Sequence, residues 1–265
     1  MFGVDPFTAE PALGESALIL LSECGSLKKG HFVLSRKNPD GTRNHSIEYV
    51  DIREVYAYPE KLWALSKLLA QCIHPSVPID VVVGPARGGN DLSTGVAYWL
   101  NQLRFPKAKK DPEDSPIRRA WTNKIEVWVG DPTDEQKEEE RFVVADCHAK
   151  FVKGKHTLIV DDVTTSGTTN QKVCTAVRNA GGSIVLVATI WNRGGVTSDA
   201  LGGIPIFSLI NRAIPSWPPF VCPPCKDGVP VNTDVGHGKE FLESKKQDLF
   251  EIGHVPPGFS GIDQF

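Results

Sequence analysis

Two adjacent carboxylates, Asp161 and Asp162, run directly into a stretch of small hydroxyl residues, and no other part of the chain has as much capacity for chemistry. The stretch is TLIVDDVTTSGTT, residues Thr157 to Thr169. Thr157, Leu158, Ile159 and Val160 are apolar or β-branched on both faces, the pattern of a short strand buried in a parallel sheet. The carboxylates fall where such a strand ends, and an Asp-Asp pair there has no packing role. Thr165, Ser166, Gly167, Thr168 and Thr169 supply hydroxyls and a glycine on which the backbone can curl. Val173, Ala176 and Val177, with Ala180 before Gly181, mark the helix that follows. Small side chains, inward-pointing amides and the positive end of a helix together make a phosphate site. No Gly-Lys-Ser/Thr follows, which argues against a Walker-type loop; a plain strand-turn-helix is the bland alternative.

The same logic appears earlier in the chain. Ile79 to Val83 read as a buried strand, and GPARGG, Gly84 to Gly89, is a glycine-rich turn at its end. Arg87 is the one cation of that turn, and its planar guanidinium suits bidentate contact with phosphate. Asp91 is placed to cap the next helix, which carries Val96, Ala97 and Leu100.

The remaining elements must position these two loops. Leu13, Ala17, Leu18 and Leu21 recur at helical spacing over residues 12–24, with Gly25 as a C-terminal cap. KKGHFVLS and SIEYVDI read as strands around the polar loop RKNPDGTRN. Pro59 opens a helix carrying Leu62, Leu65, Leu69 and Cys72. Phe142 to Ala145 form a short strand, SIVLVATIWNRGG a long one ending at Asn192-Arg193, and IPIFSLI another. Strands alternating with helices define an α/β protein whose ligand crevice lies at the strand C-terminal ends. Arg193, at such an end, points into that crevice.

Composition bounds the class. The chain has 265 residues, 40% of them hydrophobic, enough for one sizeable core. Lys and Arg number 29 against 32 Asp and Glu, a formal net charge of -3, so nothing global points to nucleic acid or an anionic membrane. No apolar run approaches the ~20 residues of a membrane span, and no secretory signal opens the chain, so a cytoplasmic protein is expected. Six scattered cysteines read as reduced thiols. Residues 1–8, with GVDPFT, precede any periodic pattern and read as a cloning scar or a disordered start.

VDDVTTSGTT resembles the PRPP-binding signature of type I phosphoribosyltransferases at nearly every position, and GPARGG resembles the pyrophosphate loop of the same family. The segment GHFVL, a basic loop with His-Ser, and a strand ending near Tyr-Pro-Glu is similar to the N-terminal region of orotate phosphoribosyltransferases. The resemblance implies a type I phosphoribosyltransferase fold: a mainly parallel central sheet flanked by helices, a small hood from the N-terminal region and a C-terminal extension. It divides the chain into a phosphoribosyltransferase domain over 9–225, with 103–141 as a long charged insertion or flexible arm, and an extension over 226–265. It implies that Asp161 and Asp162 hold the ribose hydroxyls and a Mg2+ ion. Thr165, Ser166, Gly167, Thr168 and Thr169 then cradle the 5′-phosphate, Arg87, Gly88 and Gly89 meet the leaving pyrophosphate, and Arg193 faces the base. Transfer of ribose 5-phosphate from PRPP to orotate, in a homodimer, is the implied activity. A phosphoribosyltransferase for another nucleobase, or a PRPP-binding regulatory paralogue, is the alternative.

The chain departs from that pattern in one place. Where orotate phosphoribosyltransferases carry a basic pair past the strand at 142–145, this chain has Asp146-Cys147, leaving His148 and Lys150 as the nearest substitutes for a cation or proton-transfer group. Arg36, Lys37 and Arg43 are candidates to close over the base, and Lys107, Lys109, Lys110, Arg118 and Arg119 are candidates on the arm by charge alone. The Cys222-x-x-Cys225 pair reads as a rigid structural turn. A zinc site would need two more ligands, and His237 and His254 are poorly spaced to supply them.

Overall fold

The structure is a computed structural model and describes residues 11–86, 88–105, 117–125 and 141–251; for residues 36, 119–125, 141 and 246–251 it describes the backbone alone. The chain forms two compact units. One joins the segment up to Cys24 to Ile52–Ala213, and the other joins Gly25–Asp51 to the segment from Ile214.

The first unit is built on a six-stranded sheet. Its strands in chain order are β3 (Val81–Pro85), β4 (Arg118–Ile125), β5 (Arg141–Val144), β6 (His156–Thr164), β7 (Ser183–Asn192) and β8 (Ile206–Asn211); β1 (Leu27–Lys37) and β2 (Arg43–Val50) belong to the other unit. Their spatial order is β5-β4-β3-β6-β7-β8. All neighbours are parallel except the edge pair β4-β5. The central strands are apolar on both faces because both faces are covered: Val81, Val82, Val83, Leu158, Ile159, Val160, Leu186, Val187 and Ala188 are all fully buried.

Alternation along the strands assigns the two faces. Val81, Val83, Ile159 and Val187 pack with Val173, Cys174, Ala176 and Val177 of α5 (Thr168–Asn179) and with Val152 of α4 (Asp146–Val152). On the other side α3 (Gly88–Arg104) lies against β3 and β6, and α2 (Pro59–Cys72) lies against α3. α1 (Pro11–Glu23) lies against β8. Ser66 in α2 and Asn101 in α3 are buried polar residues, and both are satisfied. Ser66 donates to the Leu62 carbonyl, and the Asn101 side chain bonds the backbone of Ile117 at the entry to β4.

Several local readings shift. Within the stretch expected as a charged insertion or arm, β4 begins at Arg118; its pairing with β3, Val81 opposite Arg118 through Pro85 opposite Thr122, overrides weak local propensity. The next helix starts at Gly88, so Asp91 sits in its first turn and does not cap it. Residues 146–152 form a helix that the sequence reading did not anticipate.

In the second unit, β1 (Leu27–Lys37) and β2 (Arg43–Val50) form an antiparallel hairpin. The expected polar loop shrinks to Asn38–Thr42, closed by Asn38 N–H donating to the Thr42 carbonyl at 2.7 Å, with Gly41 at φ +83°. Strand β2 also exchanges two backbone hydrogen bonds, at 2.8 and 2.9 Å, between His45 and Trp217. A short helix α6 (Pro223–Lys226) and the longer α7 (Gly238–Glu251) complete this unit. Among the described residues no helix is long and apolar enough to cross a membrane.

Candidate active site

The Asp-Asp pair sits inside its strand, two residues short of its end. β6 continues through Asp161 and Asp162 to Thr164, because β7 keeps pairing alongside it: Asp161 lies opposite Thr189 and Thr164 opposite Asn192. Alternation therefore sends the two carboxylates to opposite sides of the strand. Asp161 is buried, and its Oδ1 accepts the Asp162 N–H at 2.9 Å while its Oδ2 accepts the Asn170 amide at 3.3 Å. Asp162 is half-buried and accepts the Val163 N–H at 2.6 Å.

These surroundings resist two negative charges. Burial, and then the charge of Asp162, push the Asp161 carboxyl well above the usual range, against the opposing hydrogen bonds. Burial also raises Asp162, with the Val163 N–H and more distantly Arg193 pulling it back. A strained acidic pair at the mouth of a parallel sheet is poised for hydroxyl donors or a hard cation, which would relieve what the protein alone leaves uncompensated.

Asn170 and Tyr56 belong to the site, and the sequence reading passed over both. Asn170 is 1% exposed; it accepts from the Thr164 hydroxyl at 2.7 Å and donates to Asp161, tying the end of β6 to the first turn of α5. The Tyr56 hydroxyl donates to the Gly88 carbonyl. Burial, followed by the charges of Asp162, Asp161 and Asp91, raises its pKa, so it stays a phenol donor. A tyrosine in the 3-10 turn Ile52–Ala57 carries no local signal of that contact, which exists only because the turn folds against the start of α3.

The hydroxyl loop has the form the residues imply. Gly167, the N-cap residue, adopts the left-handed conformation at φ +77° and has no side chain to cap with; α5 begins at Thr168, whose N–H donates to Ser166 Oγ at 3.4 Å. The amides that follow Thr168 in the first turn have no partner within the helix and are open to an anion. Thr165, Ser166, Thr168 and Thr169 are exposed, and the Ser166 and Thr168 hydroxyls lie 2.9 Å apart.

The second loop meets the first. A Cβ built on Gly88 would lie 2.5 Å from Asp162 Oδ2, and one on Gly89 would lie 2.7 Å from the Val160 carbonyl. Only glycine permits this approach of the α3 start to the Asp pair. Arg87 falls outside the described residues. Arg193 is half-exposed, and its Nε donates to Thr165 Oγ1 at 2.6 Å, so the guanidinium reaches the hydroxyl loop from the end of β7.

The other described candidates have partners of their own. His148 and Lys150 sit on α4 beside the sheet edge, each against the Phe151 ring. Edge strand β5, which leads into α4, is three strands from β6, roughly 14 Å at ordinary strand spacing. Arg118 pairs with Val81 at the far end of β3 from the loops. Arg43 bonds the Ser35 carbonyl at 2.5 Å and Glu240 at 3.3 Å within the second unit. Lys107, Lys109 and Lys110 lie outside the described residues, as does the side chain of Arg119.

This arrangement of sheet, acidic pair and two glycine-bearing loops coincides with a family match: the phosphoribosyl transferase domain covers residues 51–203. The chain belongs to that family, and it is a phosphoribosyltransferase of type I fold. Among curated relatives it is 28% identical over 220 residues to the orotate phosphoribosyltransferase of Thermotoga maritima, covering 83% of this chain and 97% of that one. It is 29% identical over 212 residues to the orotate phosphoribosyltransferase of Caldicellulosiruptor bescii, covering 80% and 92%. Among solved structures, the orotate phosphoribosyltransferase of Mycobacterium tuberculosis H37Rv with inorganic phosphate superposes with a TM-score of 0.51 at 20% identity, covering 76% of this chain and 96% of that one. That likeness concerns the fold.

Proposed function

We propose that this protein is an orotate phosphoribosyltransferase: it transfers ribose 5-phosphate from PRPP to orotate, giving orotidine 5′-monophosphate and pyrophosphate. The observation that carries the reading is the contact of Gly88 with Asp162. It sets a loop suited to pyrophosphate beside a carboxylate pair suited to a ribose, one helix start away from a loop suited to a terminal phosphate. The relatives that match over most of their length share that activity by name.

In the reaction a ring nitrogen of the base bonds to the anomeric carbon as the bond from that carbon to pyrophosphate breaks; the electron pair leaves with the pyrophosphate oxygen, and the proton the nitrogen carried is released to solvent. Asp161 and Asp162 hold the ribose hydroxyls and fix the sugar as positive charge develops on it. The start of α5 and the hydroxyls of Thr165, Ser166, Thr168 and Thr169, with the Gly167 amide, hold the 5′-phosphate. Arg87 with the Gly88 and Gly89 amides receives the pyrophosphate, and Arg193 meets the base. Catalysis comes from position and charge, with no covalent intermediate. Oxygen donors whose ionisation is disfavoured by burial fit a hard divalent cation such as Mg2+, and Asp161 and Asp162 would hold it. Such an ion supplies charge neutralisation to the leaving group.

A cytoplasmic homodimer is part of the same proposal, the compartment in keeping with cysteines that are unpaired among the described residues; sedimentation as a monomer at working concentration would remove the dimer. The activity itself is tested by pyrophosphate release from PRPP with orotate, adenine, guanine, xanthine or uracil as acceptor. Release with orotate alone is expected. Release with another base in place of orotate, or PRPP binding without turnover, would replace the reading.

A further inference from the structure

The second unit holds four side chains with no part in the reaction above. His31 on β1, His45 on β2, and Cys222 and Cys225 flanking the start of α6 bring one ligand atom each to within 4.8 Å of one another. His31, His45 and Cys222 are buried, at 2%, 0% and 0% exposure. His31 Nε2 lies 2.8 Å from His45 Nδ1, 3.6 Å from Cys222 Sγ and 3.5 Å from Cys225 Sγ, while Cys225 Sγ lies 3.2 Å from His45 Nδ1.

We infer that these four residues bind one structural zinc ion, as a tetrahedral Cys2His2 site that staples the hairpin to the 214–251 segment. Zinc bond lengths of about 2.0–2.1 Å to nitrogen and 2.3 Å to sulfur give a tetrahedron with edges of roughly 3.3 Å between nitrogens and 3.6 Å between nitrogen and sulfur. Two of the three nitrogen-sulfur separations match that edge within about 0.1 Å, and the other two distances are shorter by about 0.5 Å. Small ring rotations open them.

The surroundings select the donor atoms. His31 Nδ1 lies 2.7 Å from the Val229 carbonyl. A carbonyl only accepts, so Nδ1 carries the proton and Nε2 turns its lone pair to the centre, the outer-shell arrangement of a metal-bound histidine. His45 is fixed by its two backbone hydrogen bonds to Trp217, and Phe241 packs edge-on to its ring. Its other nitrogen, Nε2, is buried without a hydrogen-bond partner, so Nδ1 is the atom that has somewhere to direct its electrons. Lys226 N–H donates to the Cys222 carbonyl at 3.2 Å, curling the Cys-Pro-Pro-Cys segment so that both sulfurs face the histidines.

The ion has a physical task. The unit is assembled from two chain segments separated by Ile52–Ala213 of the first unit; His31 is 191 and 194 positions from the two cysteines, and His45 is 180 from Cys225. A small, discontinuous unit of this kind gains most from a metal cross-link. Binding converts both thiols to thiolates and releases two protons to solvent, so the ion and its four ligands form a neutral cluster.

The test is elemental analysis of the full-length protein, purified without a histidine tag or chelator, followed by X-ray absorption at the zinc edge. One zinc per chain is expected, with two sulfur neighbours at about 2.3 Å and two nitrogen neighbours at about 2.0 Å. Exchange with Co2+ should give tetrahedral ligand-field bands with thiolate-to-cobalt charge transfer, which Cys222→Ser with Cys225→Ser should abolish. The absorption measurement uses the unaltered chain, so it stands even where the double variant fails to fold. Three results would each overturn the inference: folded protein free of zinc, a zinc shell without sulfur, or an intact mass two hydrogens low from a Cys222–Cys225 disulfide.

Discussion

Gly88 and Asp162 touch where β3 and β6 open toward the crevice: a methyl group on Gly88 would sit 2.5 Å from Asp162 Oδ2. Neither a carboxylate held by the Val163 N–H nor a helix start anchored by Tyr56 can retreat without losing that anchor. Gly88→Ala is therefore expected to lower kcat/KM for PRPP by roughly a hundredfold, the scale of one misplaced electrostatic contact, while costing only about 1–3 kcal/mol of stability. Turnover with PRPP measured beside a thermal melt checks it. A variant with wild-type kcat/KM would show that the two loops need not meet for catalysis.

Asn170 acts through Asp161. It is the side chain that joins the Thr164 hydroxyl to the buried Asp161 carboxylate, and its amide favours the charged form. Asn170→Ala removes that donor, so the Asp161 pKa rises further and the acidic limb of the kcat/KM profile moves to higher pH. A purely structural role predicts an unmoved limb with lower melting temperature, and a pH profile separates the two. The expected stability loss is about 1–2 kcal/mol, that of one lost hydrogen bond to a buried group.

The chemistry was legible in the sequence because it is local. Asp161 to Thr169 carry carboxylates, hydroxyls and a left-handed glycine in one uninterrupted stretch, and GPARGG announces its turn by composition. What was not legible depends on partners far along the chain. Asn170 reads as one more helix residue until Thr164 and Asp161 are placed beside it. Tyr56 gives no sign that it will reach Gly88. The Asp pair was expected at the end of the strand, but β7 continues alongside and carries β6 on to Thr164. The Cys222-Cys225 pair shows the same limit most clearly. Searching nearby for its partners suggests His237 or His254, yet His237 bonds Glu240 at 3.0 Å, His254 lies outside the described residues, and the histidines that meet the sulfurs come from the hairpin at 31 and 45.

Arg193 has two claims on it. Its Nε holds Thr165 Oγ1, and as the cation at the end of β7 it is proposed to meet the base. Arg193→Ala is expected to raise KM for orotate by roughly tenfold, the worth of one charged hydrogen bond. KM for PRPP should change far less, because backbone amides and four other groups remain on the phosphate. Initial rates with each substrate varied in turn decide it. Equal losses for both substrates would assign Arg193 to the phosphate loop alone.

The Asp pair should make the ligand-free enzyme less stable than it could be. The folded-state pKa of Asp161 is raised by burial and by Asp162. A carboxyl of this kind contributes its full stability below the unfolded-state pKa, about 3.9. That contribution is lost as pH rises through the folded-state value, because the native state must give up a proton it prefers to keep. Asp161→Asn removes the ionisation and keeps an acceptor for the Asp162 N–H, at the loss of the 3.3 Å bond from the Asn170 amide. Without PRPP or divalent cation at pH 7.5 it is expected to melt higher than wild type, by about 2–4 °C for each kcal/mol relieved. The advantage should shrink as pH falls toward 4, where wild-type Asp161 takes up its proton. Turnover should fall by roughly a hundredfold or more, and further with Asp162→Asn. Differential scanning calorimetry across that pH range, with activity in parallel, tests both halves. A variant that melts lower at pH 7.5 and equally so at pH 4 would mean that the carboxylates are already compensated by the protein, and that the pair stores nothing for its ligand to release.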